Sequence, residues 1–142
     1  MKNKYFQISV SDKKMIMERL GAYLEKRPNL LFAYVYGSFT TVDRFRDIDV
    51  AIYLRQAPST PLRAELEIET ELANLIEGYL VEVRILNNAP LSFRYNVIKS
   101  GKPIVVVDDD ARTEFEESTL DHYFDFSPFR KMYLKETLGH GI

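Results

Sequence analysis

At 142 residues, 46% apolar and 28% charged, the chain has the length and composition of a single folded globular domain with a buried core. Its 19 basic and 21 acidic residues give a net charge of −2, which argues against a protein that holds duplex nucleic acid mainly by neutralising phosphates, so no direct nucleic-acid partner is expected. The lack of cysteine excludes disulfides, thiolate nucleophiles and thiolate zinc sites, and two histidines, His122 and His140, are too few for a histidine-rich metal site.

The first third of the chain predicts one helix followed by two buried strands. Its start has no apolar stretch suited to a secretory signal, and no run approaches ~18 apolar residues, so a cytoplasmic protein with no membrane partner is expected. Ser9 or Ser11 can cap a helix that runs to about Lys26. Residues 30–36 and residues 48–54 are short apolar runs, and both predict strands.

The middle of the chain alternates between helices and strands. Prolines and glycines bound a helix over residues 61–77, a strand over 80–86, a short helix over 90–99 and a strand over 103–107. On the first of these helices, five apolar side chains are expected to face a core: Leu62, Leu66, Leu72, Leu75 and Ile76. This order predicts an α/β (α+β) fold in which helices flank a mixed β-sheet.

The chain becomes acidic and aromatic from Asp108 onward. We interpret residues 1–107 as the α/β domain and residues 108–142 as a C-terminal helical extension, with a bend or break at Pro128. The run of three aspartates at its start favours a helix N-terminus over a metal site. The aromatic residues of this extension are expected to pack on the domain or on a partner: Phe115, Tyr123, Phe124, Phe126, Phe129 and Tyr133.

Two carboxylates open the second predicted strand. Because side chains alternate along a strand, Asp47 and Asp49 project to one face while Ile48 and Val50 project to the core. Neighbouring carboxylates are costly unless a cation neutralises them, and Mg²⁺ commonly takes one or two carboxylates plus water and substrate phosphates. Taken alone, the pair is equally well explained as the solvated start of a strand.

A Gly-Ser turn lies between the two strands. Gly37 permits close approach of the backbone and Ser38 offers a hydroxyl, so the turn can hold a phosphate, although such a turn is more often only a turn. Arg44 and Arg46 lie just before the aspartates and could reach triphosphate oxygens. The alternative is that both arginines only solubilise the loop.

A third carboxylate lies in the strand LVEVRIL. Glu82 shares a face with Arg84, while Val81 and Val83 point the other way. If this strand lies beside the one that carries the aspartates, Glu82 can complete a metal site or take the proton from an acceptor hydroxyl. The alternative is an exposed Glu82–Arg84 pair of little energetic value.

The order strand, Gly-Ser, polar loop, Asp-x-Asp, helix and acid-bearing strand resembles the polymerase-β-like nucleotidyltransferase superfamily. The size and layout resemble its minimal nucleotidyltransferase (MNT) branch over about residues 12–107, and residues 108–126 resemble the C-terminal helix of that branch. The resemblance implies a single nucleotidyltransferase domain that uses Mg²⁺ and ATP to transfer a nucleoside monophosphate to an acceptor hydroxyl.

The resemblance also assigns roles to individual residues. Gly37 and Ser38 would hold the triphosphate, Asp47 and Asp49 would ligate Mg²⁺, and Glu82 would serve as the third catalytic and metal-binding acid. Two positions depart from the family pattern. Val42 stands where a glycine is common, and glutamate stands at position 82 where an aspartate is usual, so its carboxylate reaches one methylene further.

Many MNT proteins are antitoxins that are thought to silence a HEPN ribonuclease by adenylylating one of its tyrosines. The resemblance therefore implies a protein adenylyltransferase whose partners are ATP and a HEPN-type toxin, as part of a homo- or hetero-oligomer. One alternative is an antitoxin that only binds the toxin. Another is a small-molecule nucleotidyltransferase of the aminoglycoside-modifying kind, for which the chain looks too short to supply the additional substrate domain.

Overall fold

The computed structural model describes residues 4–126 of the chain, and the side chain of Phe126 is not among the described groups. The predicted break at Pro128 and the aromatic residues Phe129 and Tyr133 lie outside the described residues. Within residues 4–126, none of the helices combines the length and the apolar character needed to cross a membrane.

Helices and strands alternate along the described residues in the order β1 (Phe6–Gln7), α1 (Val10–Glu25), β2 (Leu30–Tyr36), α2 (Ser38–Thr41), β3 (Arg44–Phe45), β4 (Asp47–Leu54), α3 (Pro61–Leu75), β5 (Leu80–Ile85), α4 (Leu91–Ser100), β6 (Lys102–Val106) and α5 (Asp109–Phe126). The predicted elements between residues 9 and 107 are all present, with ends that differ by no more than two residues. Three elements were not predicted, namely β1, α2 and β3. They have two to four residues each, which is too short for a hydrophobic period to be visible.

The four long strands form one mixed sheet in the order β5-β4-β2-β6. The central strand β2 is antiparallel to β4 and β6, whereas β4 and β5 are parallel. All seven residues of β2 are buried, because helices cover both faces of the sheet at its centre. The predicted mixed sheet flanked by helices is confirmed.

Each face of the sheet has its own core. Helices α1 and α3 cover one face, where Leu20 and Leu72 pack with the inward side chains of β4 and β5. Helices α4 and α5 cover the other face, where Val97 and Phe115 pack against the aromatic residues of β2. On this second face the outward side chains of β5 are exposed, which leaves the sheet open beside the ends of β4 and β5.

One part of the predicted core is wrong. Leu62 and Leu66 are 63% and 53% exposed, although both were expected to face inward. Leu72 and, just beyond the helix, Ile76 are buried as predicted, and the buried stripe of α3 is completed by Ile68, which was not predicted. Two apolar stripes at helical spacing are present in this sequence, and only the packing of α3 against β5 decides which of them is buried.

The C-terminal helix α5 packs on α4 and β2. Phe115 is buried against Phe32, with ring centroids 5.4 Å apart, and the Tyr34 hydroxyl donates a hydrogen bond to the Glu116 carboxylate. At the start of the helix, the Asp108 carboxylate accepts the Ala111 N–H at 3.0 Å. This capping bond accounts for Asp108 without a metal ion.

Candidate active site

The three predicted acids lie on one face of the sheet, on adjacent strands. Along β4, Asp47 and Asp49 are half-buried, whereas Ile48 and Val50 are completely buried on the opposite face. Strand β5 runs parallel to β4 and places Glu82 directly opposite Asp49. The alternation of side chains is as predicted, and the parallel pairing brings the third carboxylate to the same place.

Burial and two neighbouring carboxylates make Asp49 a weaker acid. Burial, then the carboxylate of Glu82 and then that of Asp47, raise the pKa of Asp49 from 3.8 to about 7, against a lowering effect of Arg84. Two arginines are nearby but only loosely paired. Arg46 Nε lies 3.8 Å from Asp47 Oδ2, and Arg84 Nη2 lies 4.0 Å from Glu82 Oε1. The cluster therefore carries negative charge that the protein's own cations offset only in part.

These carboxylates suit a hard divalent cation such as Mg²⁺, which prefers oxygen ligands and would counter both the burial and the carboxylate repulsion that raise the pKa of Asp49. Across residues 4–126, no set of three or more Asp, Glu or His side chains is gathered closely enough to hold a metal ion by itself. The arrangement therefore fits a cation that takes one or two carboxylates together with oxygens of a bound phosphate.

The Gly-Ser turn approaches the acids closely. Gly37 has φ of +80° and ψ of −153°, a conformation that is almost restricted to glycine. A Cβ atom at this position would lie 2.7 Å from Asp49 Oδ2. The Gly37 N–H donates to Ser100 Oγ at 3.3 Å, and the exposed Ser38 begins α2. A phosphate held at this turn would therefore lie next to Asp49.

The segment after the turn does not require the glycine that is common in the family. Val42 has φ of −132° and ψ of 160°, an extended conformation open to any residue, and it is exposed. Lys13 of α1 holds this segment, because its Nζ donates to the carbonyl oxygens of Phe39 and Val42, at 2.9 Å in each case. The same Nζ lies 5.3 Å from the ring centroids of Phe39 and Phe45.

Replacing Lys13 with methionine is expected to destabilise the protein by about 1–3 kcal/mol, since it leaves two carbonyl groups without their charged donor. Urea unfolding measures the effect. Lys14→Met is the matched control, because Lys14 is exposed and its removal should change stability by no more than about 0.5 kcal/mol. Equal losses in the two variants would contradict a specific role for Lys13.

The two arginines of the loop have different positions. Arg46 lies beside Asp47, as described above, and can contribute positive charge to the site. Arg44 belongs to β3, which pairs with β1, and its guanidinium lies 5.2 Å from the ring centroid of Tyr5. The structure therefore places Arg46, rather than Arg44, next to the carboxylates.

A cleft of about 570 Å³ opens beside Asp49 and Glu82. Its further walls come from Tyr36 and Phe93, whose rings meet edge to face at 5.5 Å, and from Glu65. Tyr36 lies opposite Asp49 in the sheet, and the pKa of its phenol is raised, mainly by burial and then by the Asp49 carboxylate. None of these three residues was predicted from the sequence, since the walls of the cleft come from separate elements that meet only in the folded chain.

Solved structures with the same fold include three that form toxin–antitoxin complexes. One is the tri-AMPylated Shewanella oneidensis HEPN toxin in complex with MNT antitoxin (TM-score 0.66, 19% identity, covering 89% of this chain and 98% of the matched chain). A toxin–antitoxin with AMP-PNP has a TM-score of 0.62 at 20% identity, covering 92% of this chain and 99% of the other. The toxin–antitoxin MntA–HepT has a TM-score of 0.61 at 18% identity, with the same coverage of 92% and 99%. At these identities, the likeness shows a common fold.

Comparison with curated protein sequences gives no significant match. A family model described as polymerase beta, nucleotidyltransferase matches residues 18–110, which is more than half of the chain. The matched region contains the Gly-Ser turn, both aspartates and Glu82. The chain therefore belongs to the polymerase beta nucleotidyltransferase family.

Proposed function

We propose that the chain is an MgATP-dependent protein adenylyltransferase that transfers AMP to a hydroxyl group, that of a tyrosine, on a HEPN ribonuclease toxin and so acts as its antitoxin. The observation that carries the proposal is the position of Asp49, which lies opposite Glu82 and against Gly37 in a chain of the nucleotidyltransferase family. The structural neighbours support it, since one contains a tri-AMPylated HEPN toxin with MNT antitoxin and another contains AMP-PNP.

Asp47 and Asp49 are the proposed ligands of Mg²⁺, together with oxygens of the bound triphosphate, and Glu82 would join them only once the triphosphate is bound. When bound, Mg²⁺ would neutralise charge on the triphosphate and polarise the phosphoryl oxygens. Gly37 allows the backbone to approach the phosphates without a side chain in the way, and the exposed hydroxyl of Ser38 donates a hydrogen bond to a phosphate oxygen.

Positive charge beside the triphosphate comes from the arginines. Arg46 is the better placed of the two arginines predicted to bind nucleotide, because it already lies beside Asp47. Arg44 would have to leave the ring of Tyr5 to take part. We therefore expect Arg46→Ala to weaken ATP binding more than Arg44→Ala does.

In the proposed reaction, the oxygen of the acceptor hydroxyl attacks the α-phosphorus of ATP. A phosphorus–oxygen bond forms to the acceptor, the bond from the α-phosphorus to the bridging oxygen breaks, and pyrophosphate leaves. Glu82 takes the acceptor's proton. Its carboxylate suits this role because it is half exposed to the cleft, where a tyrosine of another protein can approach.

The same proposal covers the organisation and location of the protein. Residues 1–107 would form the transferase unit, and residues 108–142 would form an extension that faces the domain or the partner. The protein would act in the cytoplasm, where ATP and a ribonuclease toxin are both present, within a complex of the two proteins.

The test uses purified protein, ATP labelled at the α-phosphate, Mg²⁺ and a candidate HEPN partner. Wild type is expected to leave label on the partner, whereas the variant with both Asp47→Asn and Asp49→Asn is expected to leave none. If neither protein transfers label but both bind and silence the partner, the protein is a binding-only antitoxin. Label on an aminoglycoside instead of the partner would indicate the small-molecule alternative.

A further inference from the structure

Strand β5 lies at the edge of the sheet and carries Glu82. On its inner side it pairs with β4, and no other strand of the described residues pairs with its outer side. The Leu86 N–H, just beyond β5, donates to the Ile52 oxygen of β4 at 2.8 Å, so even-numbered residues of this segment direct their N–H groups inward. The N–H groups of Val83 and Ile85 therefore point to the outer edge, where an unpaired strand is open to addition of a foreign strand.

Two carboxylates of α3 bind this outer edge. Glu69 Oε2 accepts the Val83 N–H at 3.0 Å, and Glu65 Oε2 accepts the Ile85 N–H at 2.9 Å. Four residues of a helix rise ~6 Å and two residues of a strand span ~6.6 Å, so glutamates four apart match two successive outward N–H groups. The helix is thus bonded to the strand edge through its side chains.

Glu65 and Glu69 differ from glutamates that only keep the surface of a helix hydrated. Like charges four residues apart destabilise a helix unless other interactions compensate. Glu67, which lies between them in sequence, is exposed and pairs with the exposed Arg63 of the same helix, at 3.7 Å. Glu65 and Glu69 are instead half-buried, and each makes a charge-assisted hydrogen bond to a backbone amide.

The two amides that donate to these carboxylates come directly after the two charged residues of β5, Glu82 and Arg84, whose side chains lie on the open face of the sheet. The Val83 N–H is part of the peptide group that joins Glu82 to Val83, and the Ile85 N–H is part of the one that joins Arg84 to Ile85. The backbone of Glu82 is therefore held on one side by β4 and on the other by Glu69.

We propose that Glu65 and Glu69 are positioning residues, a carboxylate pair that fixes β5 against β4 so that Glu82 keeps its place opposite Asp49. The same pair closes the outer edge of β5 to strand addition. The catalytic consequence rests on the proposed function of Glu82. The structural consequence is that the Val83 and Ile85 amides are protected from hydrogen exchange, and this consequence does not depend on the proposed function.

The first test measures hydrogen exchange of backbone amides by NMR in the metal-free protein. In Glu69→Ala the Val83 amide is expected to exchange at least about tenfold faster than in wild type. Glu69→Gln should restore most of the protection, because its amide oxygen can still accept, and Glu67→Ala should leave exchange unchanged. Unchanged exchange at Val83 in Glu69→Ala would overturn the inference.

The second test separates positioning from general stability by steady-state transfer kinetics. Glu69→Ala is expected to lower kcat about tenfold with KM for ATP unchanged, since a small displacement of a catalytic group mainly affects the chemical step. Glu69→Gln and Glu67→Ala should stay close to wild type. Faster Val83 exchange without a loss of kcat would overturn the catalytic part while the proposed function stands. If Asp49→Asn transfers AMP at the wild-type rate, the proposed function is overturned. The hydrogen-exchange measurement then still tests whether Glu65 and Glu69 fix β5.

If Glu69→Ala does not fold, the wild-type protein provides the decisive measurement. A through-hydrogen-bond scalar coupling between the Val83 amide nitrogen and the Glu69 side-chain carboxyl carbon is expected. Its absence, in spectra that show the backbone couplings between β4 and β5, would overturn the inference.

Discussion

Replacing Asp49 with asparagine is expected to reduce AMP transfer by about a thousandfold or more and, in the absence of metal, to make the protein more stable at neutral pH. The loss of transfer follows because the variant lacks a carboxylate at the centre of the proposed site, and a thousandfold corresponds to about 4 kcal/mol of transition-state stabilisation. The gain in stability follows because Asp49 is half-buried beside Glu82 and Asp47, so its charged form is disfavoured in the fold.

The gain in stability that is expected for Asp49→Asn depends on pH. The pKa of Asp49 is raised from 3.8, its unperturbed value, to about 7 in the fold. Below pH 4 both states bind the proton and the group has no effect. Between about pH 4 and 7 only the folded state keeps the proton, so wild-type stability falls as pH rises, and above pH 7 the loss is complete. Because solvent reaches and screens this carboxylate, we expect the loss to be about 1–2 kcal/mol, less than the full pKa shift implies.

Urea unfolding at pH 4 and pH 8, with and without Mg²⁺, measures this prediction. Without metal, Asp49→Asn should match wild type at pH 4 and exceed it at pH 8. Added Mg²⁺ should stabilise wild type more than the variant and so narrow the difference. Asp43→Asn is the matched control, since Asp43 is exposed in the preceding loop and its removal should give no gain at pH 8. If the variant is less stable than wild type at pH 8 without metal, the fold does not disfavour the charged form of Asp49.

Gly37→Ala is expected to destabilise the protein by about 2–4 kcal/mol and to lower transfer at least about a hundredfold. Two costs combine. The backbone conformation of Gly37 is nearly closed to residues with a Cβ. The Cβ itself would meet Asp49 Oδ2 at 2.7 Å and push the turn away from the acids. A displaced turn would no longer hold the Gly37 backbone close to Asp49, where the phosphate is proposed to bind.

Gly78→Ala separates these two costs. Gly78 also has a positive φ, of +96°, but a Cβ there would meet no atom within 4 Å. It should therefore show only the backbone cost, about 1–2 kcal/mol, and retain transfer. A double-mutant cycle gives the contact directly, because with Asp49→Ala in place Gly37→Ala should keep only its backbone cost and so destabilise the protein less than it does in the wild-type background. An equal cost of Gly37→Ala in the two backgrounds would show that the Asp49 side chain does not limit what fits at position 37.

Most of the fold could be predicted, because its elements show their own periodicity. The seven buried residues of β2 form a continuous apolar run, and Ser9 caps α1 through the Asp12 N–H as expected. The wrongly predicted core residues lie in α3, where the spacing of apolar residues allows either of two faces to be the buried one. Leu62 and Leu66 extend the correctly predicted Leu72 and Ile76 into a plausible apolar stripe, and nothing local shows that α3 turns Ile68 to the sheet in their place.

The sequence by itself determined which side chains could share a face, since alternation along a strand is a local property. Asp47 and Asp49 on one side of β4, and Glu82 with Arg84 on one side of β5, needed no knowledge of the rest of the chain. Only the tertiary structure decided that β5 lies parallel to β4 with Glu82 opposite Asp49, that Asp49 leaves no room for a Cβ atom at Gly37, and that Glu65 and Glu69 bind the strand's outer edge. These are contacts between residues 12 to 33 positions apart in sequence. Strand order, register and side-chain direction set them together, and no local pattern records that combination.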